Sequence, residues 1–189
     1  MKLDPLNLDW DIEYEFILNN GSPIEPILIF AIPIRNRTVY MQLPFYKDLF
    51  SDGYVLLIDP YRFLSEWRKS EDDSYFSGYH QGNEQIWRAD KKFSYLEAGF
   101  SKGEKISHII INGLFYDAHT GIGFNDGLTR TIWLLSNEAE YIPVFTNTLP
   151  KAVDLKKIVG REKCSIYSCA DFLNHHFGVL DQEYQRLIP

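Results

Sequence analysis

The stretch Gly121-Ile122-Gly123-Phe124-Asn125-Asp126-Gly127-Leu128-Thr129-Arg130-Thr131-Ile132-Trp133-Leu134-Leu135 organises the chain. It reads as a short strand, a tight polar turn and an amphipathic helix, with apolar residues at 128, 132 and 135 on one helical stripe. Asp126 stands where a helix cap is wanted, and Gly127 lets another group approach the backbone closely. Thr129 and Arg130 follow on the first turn and fall off the stripe, so the spacing leaves Arg130 to face a ligand or solvent. A helix N-terminus carries unpaired N–H groups and a partial positive charge, which makes it a natural phosphate site. Arg130 adds a planar, bidentate donor to such a site.

Working backwards from this stretch, Ser107–Ile111 reads as a strand, Asn112-Gly113 as a turn, Leu114–Tyr116 as a strand and Ala118–Gly121 as a turn. Lys91–Lys102 has Phe93, Leu96 and Phe100 at helical spacing, ended by Gly103. Ser70–Asn83 is polar and reads as a loop or lid. Asp59-Pro60 starts a helix, with Asp at the cap, Pro at the first position and Phe63, Leu64 and Trp67 as its apolar stripe. Tyr54–Ile58 is a continuous apolar run, as in a buried strand. Further upstream, Trp10–Leu18 alternates with period 2, and Asn19–Pro23 is a turn. Pro26–Ile34 and Arg37–Leu43 form a hairpin around Asn36, with Arg35 and Arg37 at a solvated tip. Working forwards, Tyr141–Thr146 is a strand, Leu155–Arg161 and Ala170–His176 are helices, and Asp181–Pro189 is a tail. The fold class expected is mixed α/β in a single domain over 1–189. Within it, 1–53 is a β-rich N-terminal extension, 54–146 the core and 147–189 C-terminal helices.

Composition narrows the function classes. The chain has 189 residues, 45% hydrophobic and 24% charged, an ordinary globular balance with enough length for a proper core. Its 13 Phe, 12 Tyr and 4 Trp are read first as core packing and second as base-stacking surface. The net charge of -7 argues against a protein that coats nucleic acid by general electrostatics. Much of that charge sits in residues 1–25, with one lysine against six acids. Lys151 to Lys163 runs the other way, with five bases against two acids, and is the best local place for phosphate-backbone contacts. Cys164 and Cys169 stand alone as C-x4-C, without a second pair for zinc, and read as buried free thiols. His175-His176 at i, i+1 point apart on a helix and do not share a metal. With no signal peptide and no apolar run that spans a bilayer, the expected location is cytoplasmic, leaving open peripheral attachment at the inner membrane through a secretion complex.

One resemblance adds to this reading. Strand, Asn125-Asp126-Gly127-Leu128-Thr129-Arg130-Thr131, helix, then Ile142-Pro143-Val144 resembles the ParB/sulfiredoxin-like superfamily. Within it the chain is most similar to the plasmid fertility-inhibition proteins of the Osa and FiwA type, a similarity shared by the upstream Trp87-Arg88-Ala89-Asp90. The resemblance covers about residues 54–146. It implies a protein that suppresses conjugative plasmid or T-DNA transfer through a type IV secretion system by hydrolysing ATP and cleaving DNA. Carried over by residue, it implies Asp126, Thr129 and Arg130 as catalytic, and Gly127, Leu128, Thr129 and Arg130 as the nucleotide-phosphate site. Magnesium or another divalent metal is the expected cofactor, with ligands unassigned beyond a carboxylate such as Asp126. Asp90, Glu97 and Asp117 are further carboxylate candidates, and His119 a candidate base. Lys151, Lys156, Lys157 and Arg161 are the expected DNA contacts. The implied partners are the transferred DNA strand and a secretion coupling protein or relaxase–DNA complex. Two departures matter: Thr129 replaces the histidine that relatives often carry beside the arginine, and Leu128 replaces the cysteine of the sulfiredoxins. The rival reading is a non-catalytic interaction protein, or a nucleotide sensor, that blocks a secretion coupling component or an exported substrate by binding.

Overall fold

A computed structural model describes residues 2–3, 14–19, 25–45, 53–70, 78–103 and 109–172. The chain begins with strands β1 (Lys2–Leu3), β2 (Tyr14–Asn19), β3 (Glu25–Ile34) and β4 (Arg37–Pro44). They form one antiparallel sheet in sequential order. The expected hairpin is present: β3 and β4 pair from Ile27 opposite Pro44 to Ile34 opposite Arg37, around a two-residue turn at 35–36. Along β3, Leu28, Phe30 and Ile32 point into the main core. They alternate with Ile27, Ile29 and Ala31, which are buried on the other face.

Next come β5 (Tyr54–Ile58), α1 (Pro60–Trp67), α2 (Glu84–Arg88), α3 (Phe93–Ser101), β6 (Asn112–Asp117), β7 (Gly121–Asp126), α4 (Leu128–Ser136), β8 (Ile142–Thr146), α5 (Leu149–Val159) and β9 (Tyr167–Ser168). Their strands build a second sheet in the order β7-β6-β8-β5-β9, with β6 and β8 parallel and the other neighbours antiparallel. The result is mixed α/β, as expected. The two sheets are sewn together by backbone: Gln42 N donates to Ile109 O and Ile111 N to Gln42 O, both at 2.9 Å. Tyr141 Oη donates to Ala31 O at 2.6 Å, and Glu140 N to Pro33 O at 3.0 Å.

The hairpin tip is tied down rather than simply solvated. Arg35 pairs with Glu138 at 2.5 Å and Arg37 with Glu97 at 3.2 Å, linking the β3–β4 turn to the end of α4 and to α3. Glu138 adopts a left-handed backbone (φ 54) just past α4, and pairing with Arg35 holds its carboxyl below the usual range. Trp133 of α4 is fully buried, stacks on Phe100 of α3 at 4.2 Å and donates its indole N–H to Glu97 at 3.0 Å. Such an aromatic pair adds about 0.5–1.5 kcal/mol beyond its buried area. It locks α3 to α4.

Several local expectations need correction. Asn112-Gly113 is not a turn. Both residues lie inside β6, with Asn112 opposite Val144 and Gly113 opposite both Phe145 and Asp126. The glycine is there for closeness, since a side chain on it would sit 3.3 Å from Cβ of Asn125. The strand expected at 107–111 reduces, among the described residues, to a single bridge between Ile110 and Gln42. Residues 84–88 form a helical turn capped by Asn83, whose side chain accepts from Ile86 N. Helix α5 starts at Leu149, not Leu155, because Pro150 in its first turn begins a helix rather than breaking one. Cys164 and Cys169 are buried and free, and burial, aided by Asp171, pushes the Cys169 thiol up to about 12. The turn expected at 19–23 and the loop at 70–83 fall partly outside the described residues; His175-His176 and the tail at 181–189 fall wholly outside.

Candidate functional site

The β6–β7 hairpin delivers the motif by a break in its own register. Leu114 pairs with Phe124 but Gly113 pairs with Asp126, so Asn125 is an extra residue on β7. A bulge of this kind re-aims side chains and ends pairing. Here it turns Asn125 and Asp126 into a cleft of about 640 Å³. One wall is the run Asn125–Arg130; the other is Tyr79, Asp90, Lys92, Tyr95 and Leu96. That volume is within the range of small-molecule sites, roughly 300–1,000 Å³.

Asp126 does not cap α4. The N-cap is Gly127, in a left-handed conformation (φ 97, ψ 14), and no side chain caps this helix. The reason is steric. Gly127 packs on Asn112, whose Oδ1 would lie 2.3 Å from any Cβ at position 127. The glycine conformation moves Asp126 one residue too far back to cap. Its Oδ1 instead accepts from Gly127 N at 2.7 Å, and its Oδ2 pairs with Arg130. The first-turn amides of α4 therefore have no side-chain cap, and the residues that carry them line the cleft.

Arg130 is held more firmly than its spacing suggested. Its side chain is 14% exposed, against 79% for Asp126. Its guanidinium donates to Ile110 O as well as to Asp126. It still lines the cleft, with Thr129 and Leu128 beside it. All five motif residues 126–130 line this cleft.

The opposite wall was less legible. Tyr79 Oη donates to Asp90 Oδ2 at 2.6 Å, and this bond, with desolvation, pushes the Tyr79 hydroxyl up to about 12. Asp90 Oδ1 accepts from Lys92 N at 2.6 Å, so both its oxygens are engaged. Trp87 Nε1 donates to Tyr79 O at 2.8 Å and pins the segment in place. Of these residues, sequence reading singled out Asp90 and Trp87 but missed Tyr79, Lys92 and Tyr95. Their only signal was Tyr and Lys flanking a helix start, which is common on surfaces.

Other candidates lie elsewhere. Asp117 and His119 sit at the far end of the β6–β7 hairpin, where Asp117 accepts from His119 N and Thr120 N, bonds that hold its carboxyl below the usual range. Glu97 is turned toward Trp133 and Arg37. Helix α5 contributes nothing to the cleft. On it, Lys151 Nζ lies 5.3 Å from the Phe115 ring centre, Lys156 donates to Cys164 O and Lys157 is exposed. Arg161, just past α5, stacks over Tyr141 at 5.2 Å.

The donor set bears on a metal. Among the described residues no three His, Cys, Asp or Glu side chains converge as a metal cage. Asp126 is exposed and keeps lone pairs, which fits a magnesium ion that arrives with phosphate oxygens and takes one protein carboxylate.

Three comparisons with known proteins bear on this geometry. The family model described as "PFIN: Plasmid Fertility inhibition factor" matches residues 55–160, over half of the chain, a run that begins within β5 and ends just past α5. Among solved structures, the chain is similar to a crystal structure described as an oncogenic suppression activity protein, a plasmid fertility inhibition factor, in its gold(I) cyanide derivative. The TM-score is 0.66 at 18% identity, over 92% of this chain and 84% of that chain, which is a likeness of fold. No curated protein sequence matches.

Proposed function

The chain belongs to the plasmid fertility inhibition factor family, and from that premise we propose that it acts through the α4 cleft, binding and hydrolysing ATP and cleaving DNA to suppress conjugative or T-DNA transfer by a type IV secretion system. The observation that carries this reading is the open N-terminus of α4, backed by Arg130 and facing a nucleotide-sized cleft.

Phosphoryl transfer and phosphodiester cleavage demand mostly positioning and charge neutralisation. The amides of the first α4 turn and the Arg130 guanidinium hold phosphate oxygens. Thr129 Oγ1 is a further donor on the same turn. Asp126 is the carboxylate placed to hold a divalent cation, which when bound neutralises developing phosphate charge. Lys151 and Lys157, the less committed cations of α5, supply contacts to the DNA backbone, with Lys156 and Arg161 adding what their internal bonds leave free. The partners on this reading are the transferred strand and a coupling protein or relaxase–DNA complex. No helix among the described residues is long and apolar enough to cross a membrane. A cytoplasmic protein attached peripherally to a secretion complex suits the function.

One observation favours a second reading, binding without turnover. No histidine lines the cleft among the described residues, and Arg130 already has a carboxylate partner. Purified protein assayed with magnesium for ATP hydrolysis and DNA cleavage, beside Arg130→Ala, separates the two. The enzyme reading expects both activities in the wild type and their loss in the variant. ATP binding with neither activity selects the second reading, and equal activity in both proteins removes Arg130 from the site.

A further inference from the structure

The cleft has two walls of different chemistry. The α4 wall is polar and offers N–H groups, Thr129 and Arg130. On the α3 wall, Tyr95 and Leu96 are the aromatic and apolar members. The cleft holds two tyrosines, and they differ. Tyr79 is committed, with its hydroxyl on Asp90 and its carbonyl on Trp87. Tyr95 is 78% exposed, and no ring contact or hydrogen bond engages its side chain among the described residues. A large aromatic ring held on a helix, in a cleft wall and unused by the fold, is a stacking surface.

The spacing of the two walls is fixed. Phe93 and Phe100 are the buried residues of α3, on the stripe that also carries the half-buried Leu96, and Tyr95 lies off that stripe. Phe100 stacks on Trp133, and Glu97 accepts from the Trp133 indole, so α3 is clamped to the helix whose N-terminus faces the same cleft. A ligand that bridges the walls meets donors at one end and a ring at the other.

We infer that Tyr95 is the base-stacking residue of this cleft and that the occupant is a nucleoside triphosphate, with its base on Tyr95 and Leu96 and its phosphates on the α4 turn. This rests on the reading of the α4 turn as a phosphate site. The charged residues of the lining balance, Asp90 and Asp126 against Lys92 and Arg130, so the cleft has no basic excess to track a strand's backbone. It suits a single nucleotide, and a strand to be cleaved is gripped by α5 instead.

The test is titration calorimetry with magnesium and, in turn, ATP, inorganic tripolyphosphate and a short single-stranded oligodeoxynucleotide. The proteins are wild type, Tyr95→Ala, Tyr95→Phe and Arg130→Ala. Tyr95→Ala is expected to weaken ATP binding about 5- to 100-fold. It leaves tripolyphosphate affinity unchanged, and Tyr95→Phe retains ATP binding. Arg130→Ala weakens both ligands. Unchanged ATP affinity in Tyr95→Ala overturns the inference while leaving the phosphate site standing. Equal loss of ATP and tripolyphosphate in Tyr95→Ala overturns it too, because the ring would then serve the phosphate end or the fold. A Tyr95 dependence confined to the oligonucleotide replaces the nucleotide with a strand. If wild type binds neither ATP nor tripolyphosphate, the phosphate site itself falls and the base wall with it.

Discussion

Helices α1 and α4 both follow a strand with an aspartate at the junction, Asp59 just after β5 and Asp126 at the end of β7, and only one of those aspartates closes its helix. Asp59 has an extended backbone (φ -79, ψ 122) and its Oδ1 accepts from Tyr61 N and Arg62 N at 2.9 Å each. Asp126 caps nothing and pairs with Arg130. The following residue makes the difference. Pro60 has φ fixed near the helical value and takes the first helical position, which leaves Asp59 at the cap. Gly127 takes φ 97, becomes the cap itself and leaves the first amides of α4 for an outside acceptor. A closed terminus stabilises the fold, and an open one is available to a ligand.

The largest expected effect comes from closing the backbone freedom that keeps α4 open. Gly127→Ala places a Cβ 2.3 Å from Asn112 Oδ1 and 3.0 Å from its Cα, on a backbone conformation that L side chains rarely adopt. Left-handed strain and overpacking together cost about 2–4 kcal/mol. Denaturant melts read this as a lower midpoint with unchanged slope. A variant as stable as wild type would mean that the glycine is not what sets the open terminus.

Next in size is the closed terminus. Asp59→Ala removes the cap of α1 and is expected to cost about 1 kcal/mol in the same melts. Tripolyphosphate binding should not change, since α1 contributes nothing to the cleft. A loss of binding here would show that the two termini are coupled and would undo the comparison.

How far the sequence could be read follows from the same contrast. Features set by near neighbours were legible. The Asp59-Pro60 cap, the β3–β4 hairpin around Asn36 and the buried run Tyr54–Ile58 all came out as expected, because each depends on a few adjacent residues. Features set by distant neighbours were not. Asn112-Gly113 has the local chemistry of a turn, yet pairing with Val144, Phe145 and Asp126 keeps it in a strand. Asp126 has the local chemistry of a cap, yet Asn112 packing on Gly127 removes it from that position. In the cleft, residues 126–130 were visible as a motif. Lys92 and Tyr95 face them because α3 is clamped on Trp133, a contact between residues far apart in sequence, and Tyr79 because Asp90 and Trp87 hold it.

A smaller effect is expected on the wall opposite α4. Tyr79→Phe removes the hydrogen bond to Asp90 and should cost about 1 kcal/mol or less. Its signature is the pH dependence. The folded Tyr79 hydroxyl titrates at about 12, against an ordinary value of 10.0, so the folded state holds this proton more tightly than the unfolded chain. The associated stability is fully present below pH 10 and is lost as pH rises toward 12. Melts across that window should fall more steeply for wild type than for Tyr79→Phe. Parallel curves would show that the bond to Asp90 is not what holds this wall.

The smallest effect on stability is expected at Asp126, and it bears most directly on the comparison. Its side chain is 79% exposed and its partner Arg130 has a second anchor on Ile110 O. Asp126→Asn should therefore move stability by less than about 0.5 kcal/mol, well under the effect at Asp59. Binding should respond instead. The substitution removes the negative charge that competes with phosphate for Arg130, so tripolyphosphate affinity without magnesium should rise. ATP hydrolysis with magnesium should fall, because the one exposed carboxylate of the motif is gone. Opposite movements of binding and turnover at nearly constant stability would separate this aspartate from Asp59. A stability loss as large as that of Asp59→Ala would show that both aspartates cap their helices, and the open terminus of α4 would then have to be abandoned.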